Sequence, residues 1–329
     1  MTGRRALRIL VQALGAVLGV ALFFWALRMA FTPENQASVR RLLDAPWRLV
    51  AAMILLNVAT IIVNGLVFWV TSIPVKRVGV LSAILTNAVS SFLAFLPFKI
   101  SALTRIYLHH RRDGVPLRGV VGWMIGAGLT ALAAMVPVVA ACALAPVVGG
   151  WWLVIAIAGA FACTAIGVWL ARLADARIPW LRALSLGSTV VARNAWVMHA
   201  GCALRLLDFA LQTGRFLVAA SAMGLAVAPA RAALDATVYF VIGAASPGGV
   251  LGFREGGLAW IRSLMSVDDD AAEQIALLAL AVTGAEAATF CVLAVIAAAW
   301  MRLDRLVFRA AAEELAAEDA GLTPPPPAD

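Results

Sequence analysis

The stretch with the most chemical potential reads Ser246-Pro247-Gly248-Gly249-Val250-Leu251-Gly252-Phe253-Arg254-Glu255-Gly256-Gly257. Glycine carries no Cβ, so backbone N–H groups here can come close to a ligand. A turn of this kind that opens a helix can hold an anion. Arg254 adds a planar fork suited to phosphate, and Glu255 can orient that arginine or meet a cationic head group. Gly248 and Gly249 are the backbone candidates. A second set, Arg205, Asp208, Gln212 and Arg215, is spaced three, four and three residues apart and therefore shares one helix face. Charges within an apolar run are costly and face the interior of a bundle. Arg205 and Asp208 form either an internal pair that fixes packing or part of a binding site. Two arginines against one aspartate leave room for an anionic head group. Asn57, Thr60 and Asn64 make an uncharged stripe of the kind that joins helices. Glu286 reads first as a partner for one of these arginines and second as a proton-coupling carboxylate. Lys99 and Arg105, which follow Pro97, complete the candidate set.

These groups must be positioned by a chain that is not a soluble globule. Of 329 residues, 63% are hydrophobic and 13% are charged, against about 25% charged in a soluble domain. The mean hydropathy is +0.93. So few charged side chains cannot cover the surface of a water-soluble protein of this size. Disorder is excluded by the same composition. The apolar runs are continuous rather than alternating, which argues against a β-barrel. The net charge of +8 does not point to nucleic acid, because the basic residues lie mostly in short gaps between apolar runs, where they anchor cytoplasmic loops. Abundant Ala, Gly and Arg beside two Lys suggests a GC-rich bacterial genome. Cys142, Cys163, Cys202 and Cys291 lie inside apolar runs without a CxxC pair and read as small buried hydrophobes. No HExxH, Cys/His cluster or phosphate loop is present, so no catalytic residue, cofactor or metal is expected. His109-His110, beside Arg111-Arg112, reads as interfacial.

A membrane span needs about 20 apolar residues. Six runs qualify: Leu7–Phe31, Trp47–Thr71, Leu117–Leu144, Val147–Leu170, Trp196–Val227 and Ala272–Met301. Leu7–Phe31 follows a basic start but is too long for a signal peptide and lacks a small-residue cleavage site, so it is expected to be retained. Two regions are shorter and broken: Val80–Leu96, which ends at Pro97, and Leu234–Ala245, which is followed by the Gly-rich stretch and Gly256–Met265. If Val80–Leu96 crossed fully, Lys99, Arg105, Arg111, Arg112 and Arg118 would fall outside, against the positive-inside bias. If it enters and returns, they stay inside. A hairpin over Leu234–Met265 then puts Asp268, Asp269, Asp270 and Glu273 outside and Arg302, Arg305 and Arg309 inside. The expected fold is an all-α polytopic membrane protein of eight hydrophobic segments, six full spans and two re-entrant helical hairpins, with both termini cytoplasmic. Each hairpin has a Pro at its break and an Arg seven or eight residues later, which suggests an inverted repeat with its site near the midplane. Residues 1–309 form the membrane domain, and 310–329, acidic and then Pro-rich, an expected disordered cytoplasmic tail.

The Gly-rich stretch resembles the Pro-Gly-Gly-x-Gly-x-Arg-Glu signature of the flippase-like membrane domain found in lysylphosphatidylglycerol synthases and their stand-alone relatives. Here one residue is inserted, giving Gly248-Gly249-Val250-Leu251-Gly252-Phe253-Arg254-Glu255. The other hairpin of that family reads Pro-x-Arg/Lys-x-Gly-Glu-x-x-Arg. Pro97, Lys99 and Arg105 match it, whereas Ser101 and Ala102 stand in place of the Gly and Glu. The family's last span carries an Arg where this chain has Gly284-Ala285-Glu286. The resemblance covers Trp47 to Leu303 and implies a lipid-handling protein of the bacterial cytoplasmic membrane. Only about 28 residues follow the last span, so the aminoacyl-transfer activity of the larger synthases is not expected. The relatives handle different lipids, including aminoacylated phospholipids and hopanoids. The expected function is translocation of an anionic or phosphate-bearing lipid, or a lipid-linked precursor, between leaflets. Its substrate site would comprise Lys99, Arg105, Arg205, Asp208, Arg215, Gly248, Gly249, Arg254 and Glu255. The expected partner is the lipid itself, with no nucleic acid, and self-association stays open. The alternatives are a membrane-embedded enzyme or accessory subunit of lipid or glycan synthesis, and a secondary transporter of small molecules.

Overall fold

The computed structural model describes residues 17–28, 31–96, 99–177, 187–246, 249–265 and 269–303. Pro97, Pro247, Gly248, Asp268 and the tail 310–329 lie outside them. The described residues are helical, with no strand among them. The helices are α1 (Val17–Arg28), α2 (Gln36–Leu43), α3 (Trp47–Ser72), α4 (Val80–Leu93), α5 (Ile100–Arg111), α6 (Leu117–Val148), α7 (Trp152–Arg177), α8 (Ser188–Ala192), α9 (Ala195–Met223), α10 (Pro229–Ala245), α11 (Phe253–Met265) and α12 (Asp269–Met301).

Three helical stretches are long and apolar enough to cross a membrane: Trp47–Ser72, Leu117–Ala176 and Glu273–Met301. The 3-10 turn Gly149–Trp151 divides the second into α6 and α7. Val17–Arg28 and Val80–Leu93 are shorter apolar helices. The outer surface suits a multi-pass membrane protein. Leu55, Val136, Ile166 and Val295 are exposed along the long helices, and Trp47, Trp151, Trp196 and Trp300 are exposed at helix ends, where aromatic rings favour the lipid–water boundary.

Local signals explain where the site-bearing helices begin and end. The Asn194 side chain caps α9 by accepting a 3.2 Å hydrogen bond from the Val197 N–H. Gly224 ends the helix in the left-handed conformation, φ +74°, and the Leu225 N–H reaches back 2.8 Å to the Ala220 carbonyl, which satisfies an orphan carbonyl. Pro229 starts α10, where its missing N–H leaves no bond unmade.

Two pairs of short helices are broken in their middle. α4 and α5 are separated by residues 94–99, and α10 and α11 by 246–252. At its open end the first pair is tied by Ser82, whose hydroxyl donates to Asp113 at 2.9 Å, while His109 Nδ1 lies 2.6 Å from the same carboxylate. The second pair is tied at its open end by Arg262, which donates to Asp235 at 2.5 Å. The two breaks meet each other. The Val250 N–H donates to the Ala94 carbonyl at 3.1 Å, and Lys99 Nζ donates to the Ala244 carbonyl at 3.1 Å. Around these tips, α3, α9 and α12 supply the walls. One apolar core joins α9, α10, α11 and α12 through Phe216, Met223, Tyr239, Leu258 and Leu278. A second joins α3, α4, α5 and α12 through Ile61, Val89, Leu108 and Phe290.

Candidate functional site

A cavity of about 350 Å³ lies where the two breaks meet. Its lining includes Lys99, Arg105, Arg205, Arg215 and Arg254, together with Asn64, Asn87, Gln212, Gly249 and Glu286. The elements that converge here are α3, the first broken pair, α6, α9, the second broken pair and α12.

Glu286 of α12 is the hub. Arg215 of α9 donates to its Oε1, and Arg254 of α11 donates to its Oε2 at 2.9 Å. Arg215 also donates to Asn57 Oδ1 of α3 at 2.9 Å. The Arg254 guanidinium carbon lies 4.7 Å from the centre of the Tyr239 ring, close enough for a cation–π contact. The Tyr239 hydroxyl is 2.6 Å from Thr283 Oγ1 and 3.3 Å from Glu286 Oε2. Thr283 in turn donates to Glu255 Oε1, and the Gly252 N–H donates to Glu255 Oε2 at 2.7 Å. The polar chain therefore runs unbroken from α3 through α9, α12 and α10 to the start of α11.

A second group sits one to three turns earlier on α9. Arg205 donates to Asn64 Oδ1 at 2.5 Å and to Asp208 Oδ2 at 3.4 Å. Asn64 Nδ2 and Gln212 Nε2 donate to the same carboxylate at 2.8 and 3.3 Å. Arg205, Asp208, Gln212 and Arg215 are all buried, on the face that α9 turns toward α3 and the cavity. A third group belongs to the first broken pair. Arg105 donates to Asn87 Oδ1 at 2.8 Å, and its guanidinium carbon lies 3.6 Å from the Phe68 ring centre. Asn87 Nδ2 is committed to the Ile61 carbonyl at 2.8 Å. Nη1 of Arg105 and Nε of Arg205, Arg215 and Arg254 have no hydrogen-bond partner among the described residues.

The cavity thus gathers Lys99, Arg105, Arg205, Arg215, Gly249 and Arg254, with Asp208 one bond behind the lining. Residues of the Gly-rich stretch also have partners within the fold. Glu255 is fully buried and folds back onto the first N–H of its own helix, in the manner of the acidic residue of a capping box; Glu286 holds Arg254 instead. Gly252 and Gly256, which follow Gly249, pack closely against α1. Gly252 has φ +80°, and a Cβ on it would lie 1.7 Å from the Gly19 carbonyl oxygen of α1. A Cβ on Gly256 would meet Leu22 of the same helix at 2.8 Å. Gly248 lies outside the described residues.

Sequence reasoning overlooked Gly243, Asn87, Tyr239 and Thr283. A Cβ on Gly243 would lie 2.2 Å from Arg254 Nε, so this glycine clears the path of the guanidinium. A signal existed for Thr283, which precedes Glu286 by three residues and so shares its helix face. None existed for Gly243, whose importance lies in a neighbour 11 residues away.

Among the described residues, no three His, Cys, Asp or Glu side chains stand together as a metal site. The four cysteines are free. The arrangement suits electrostatic capture of an anion, since planar arginine forks line the cavity where the broken helices end. Comparison with protein-family models, curated proteins and solved structures finds no match.

Proposed function

We propose that this protein translocates an anionic or phosphate-bearing lipid, or a lipid-linked precursor, between the leaflets of a bacterial cytoplasmic membrane. The observation that carries the reading is a cavity lined by five cationic side chains at the point where two broken helix pairs meet tip to tip. Irregular backbone at membrane depth is tolerated where it is buried or lines a wet cavity. Transporters built from inverted repeats put their sites at such breaks.

In this reading α4–α5 and α10–α11 are re-entrant hairpins that enter from opposite faces. α4 has 14 residues and α11 has 13. At about 1.5 Å per residue, each is near 20 Å long, short of the roughly 30 Å hydrocarbon core. The Ser82–Asp113 and Asp235–Arg262 ties close the open end of each hairpin, as a chain that enters and returns requires. With the apolar run Leu7–Phe31, of which α1 is the described helical part, and with α3, α6, α7, α9 and α12 as full spans, the chain has eight membrane segments in an inverted repeat, with both termini cytoplasmic. The head group crosses through the cavity while the acyl chains stay in the bilayer. Lys99, Arg105, Arg205, Arg215, Arg254 and the Gly249 backbone contact the head group, and Asp208 and Glu286 hold the arginines.

Leaflet exchange of labelled anionic lipids in proteoliposomes tests the reading. The wild-type chain accelerates exchange over protein-free vesicles. Arg254→Lys keeps the charge but loses the fork, so exchange falls while the melting temperature stays near wild type. Undiminished exchange by folded Arg254→Gln would remove this residue from the site, and absence of exchange by the wild-type chain would overturn the function.

A further inference from the structure

The charges around the cavity do not cancel. Lys99, Arg105, Arg205, Arg215 and Arg254 line it. Three carboxylates stand against them: Asp208 with Arg205, Glu286 with Arg215 and Arg254, and Glu255 with Thr283 and the Gly252 N–H. Five cations against three carboxylates leave two positive charges unmatched. Arginine does not shed its proton in proteins, so the four guanidinium groups cannot remove the surplus by neutralising.

The surplus has an address. Glu286 is divided between Arg215 and Arg254. Among the described residues, neither Lys99 nor Arg105 touches a carboxylate. Lys99 donates to the Ala244 carbonyl, and Arg105 donates to Asn87 and stacks on Phe68. Arg105 is only 7% exposed, and its Nη1 has no partner. A buried, unmatched charge is costly, and a fold tolerates it where an opposite charge arrives to fill the space. At about 30 Å³ per water molecule, a cavity of about 350 Å³ has room for two linked phosphates.

We propose that the cavity takes a group bearing two or more negative charges, a phosphate monoester or a diphosphate, in preference to the single charge of a phosphodiester. The proposal rests on the translocation reading only for the source of that group, since a lipid head group and a free phosphate present the same chemistry. Lys99 and Arg105 on one hairpin and Arg254 on the other grip it from both sides of the meeting point.

The test uses the full chain in proteoliposomes and three fluorescent lipids with one common prenyl chain. Their head groups are a phosphate monoester, a diphosphate and a phosphodiester. The buffer is held two units above the second ionisation of a monoester, which falls at about pH 6. The multiply charged lipids exchange faster than the phosphodiester, by on the order of tenfold, the worth of one charge-assisted contact. Arg105→Gln reduces that preference severalfold, and Arg105→Lys, which keeps the charge, retains most of it. A phosphodiester that moves as fast as the others overturns the charge proposal and leaves translocation standing. If no lipid moves, translocation falls and calorimetry on the purified protein decides the charge proposal. Tighter binding of inorganic diphosphate than of dimethyl phosphate upholds it, and equal or absent binding overturns it. The wild-type preference decides the matter even if an Arg105 variant fails to fold.

Discussion

At the scale of single residues, the site is organised by sharing. Asp208 accepts from Asn64, Gln212 and Arg205 at 2.8, 3.3 and 3.4 Å, and it is wholly buried. Its removal strands Arg205 beside an amide. Asp208→Ala is therefore expected to cost about 3–5 kcal/mol, the usual penalty for breaking a buried pair from one side. Replacing Arg205 and Asp208 together by Leu removes both charges and should cost less than Asp208→Ala alone. Thermal melting in detergent measures both; if Asp208→Ala melts like wild type, the pair faces water and is no internal pair. The residue scale also explains why, of the carboxylates that could match Arg254, it is Glu286 and not the adjacent Glu255 that accepts from it. Consecutive residues on a helix point about 100° apart, given about 3.6 residues per turn, so neighbours in the chain do not face each other. Glu255 turns to its own helix start, and Arg254 reaches across to α12.

At the scale of elements, the close approach of α10 and α11 sets the position of Arg254. Gly243 leaves a gap through which the side chain passes, and a Cβ there would lie 2.2 Å from its Nε and 3.0 Å from its Cζ. Gly243→Ala should raise the intrinsic helix preference of α10, since alanine exceeds glycine by about 0.8–1.0 kcal/mol in a helix interior. It should at the same time push the guanidinium off Glu286. The expected outcome is folded protein whose lipid exchange drops to the level of Arg254→Gln. Wild-type exchange in folded Gly243→Ala would mean that Arg254 works from another rotamer. The Gly-rich stretch has a similar logic at its other end. Gly252 takes φ +80° and meets the Gly19 carbonyl of α1, so its absent side chain lets the first helix seal the second break.

At the scale of the whole molecule, the two broken pairs are joined at their tips by Val250–Ala94 and Lys99–Ala244. The open ends, marked by Asp113 and by Arg262, point away from that junction. If the hairpins enter from opposite faces, loops next to the two open ends lie on opposite sides of the membrane. Single cysteines at Asp113 and at Asp269, in a background with the exposed Cys291 replaced, should react with an impermeant maleimide from opposite sides. Asp113 reacts from the cytoplasmic side because of the Arg111, Arg112 and Arg118 around it. Labelling of both from one side would overturn the two-hairpin arrangement.

Much of this molecule was legible in one dimension because its dominant constraint is local. A membrane requires about 20 apolar residues per span, and Trp47–Thr71 as read from composition differs by one residue from the helix Trp47–Ser72. The spacing of Arg205, Asp208, Gln212 and Arg215 put them on one face because helix periodicity is a property of the chain itself. What those residues meet is not local. Asn64 reaches Asp208 across 144 positions, and Arg215 reaches Glu286 across 71. Lys99 and Ala244 come together across 145. No periodicity encodes such pairings. They follow from which helices stand side by side, and that is decided when packing and the demand that buried charges be matched act on the whole chain at once.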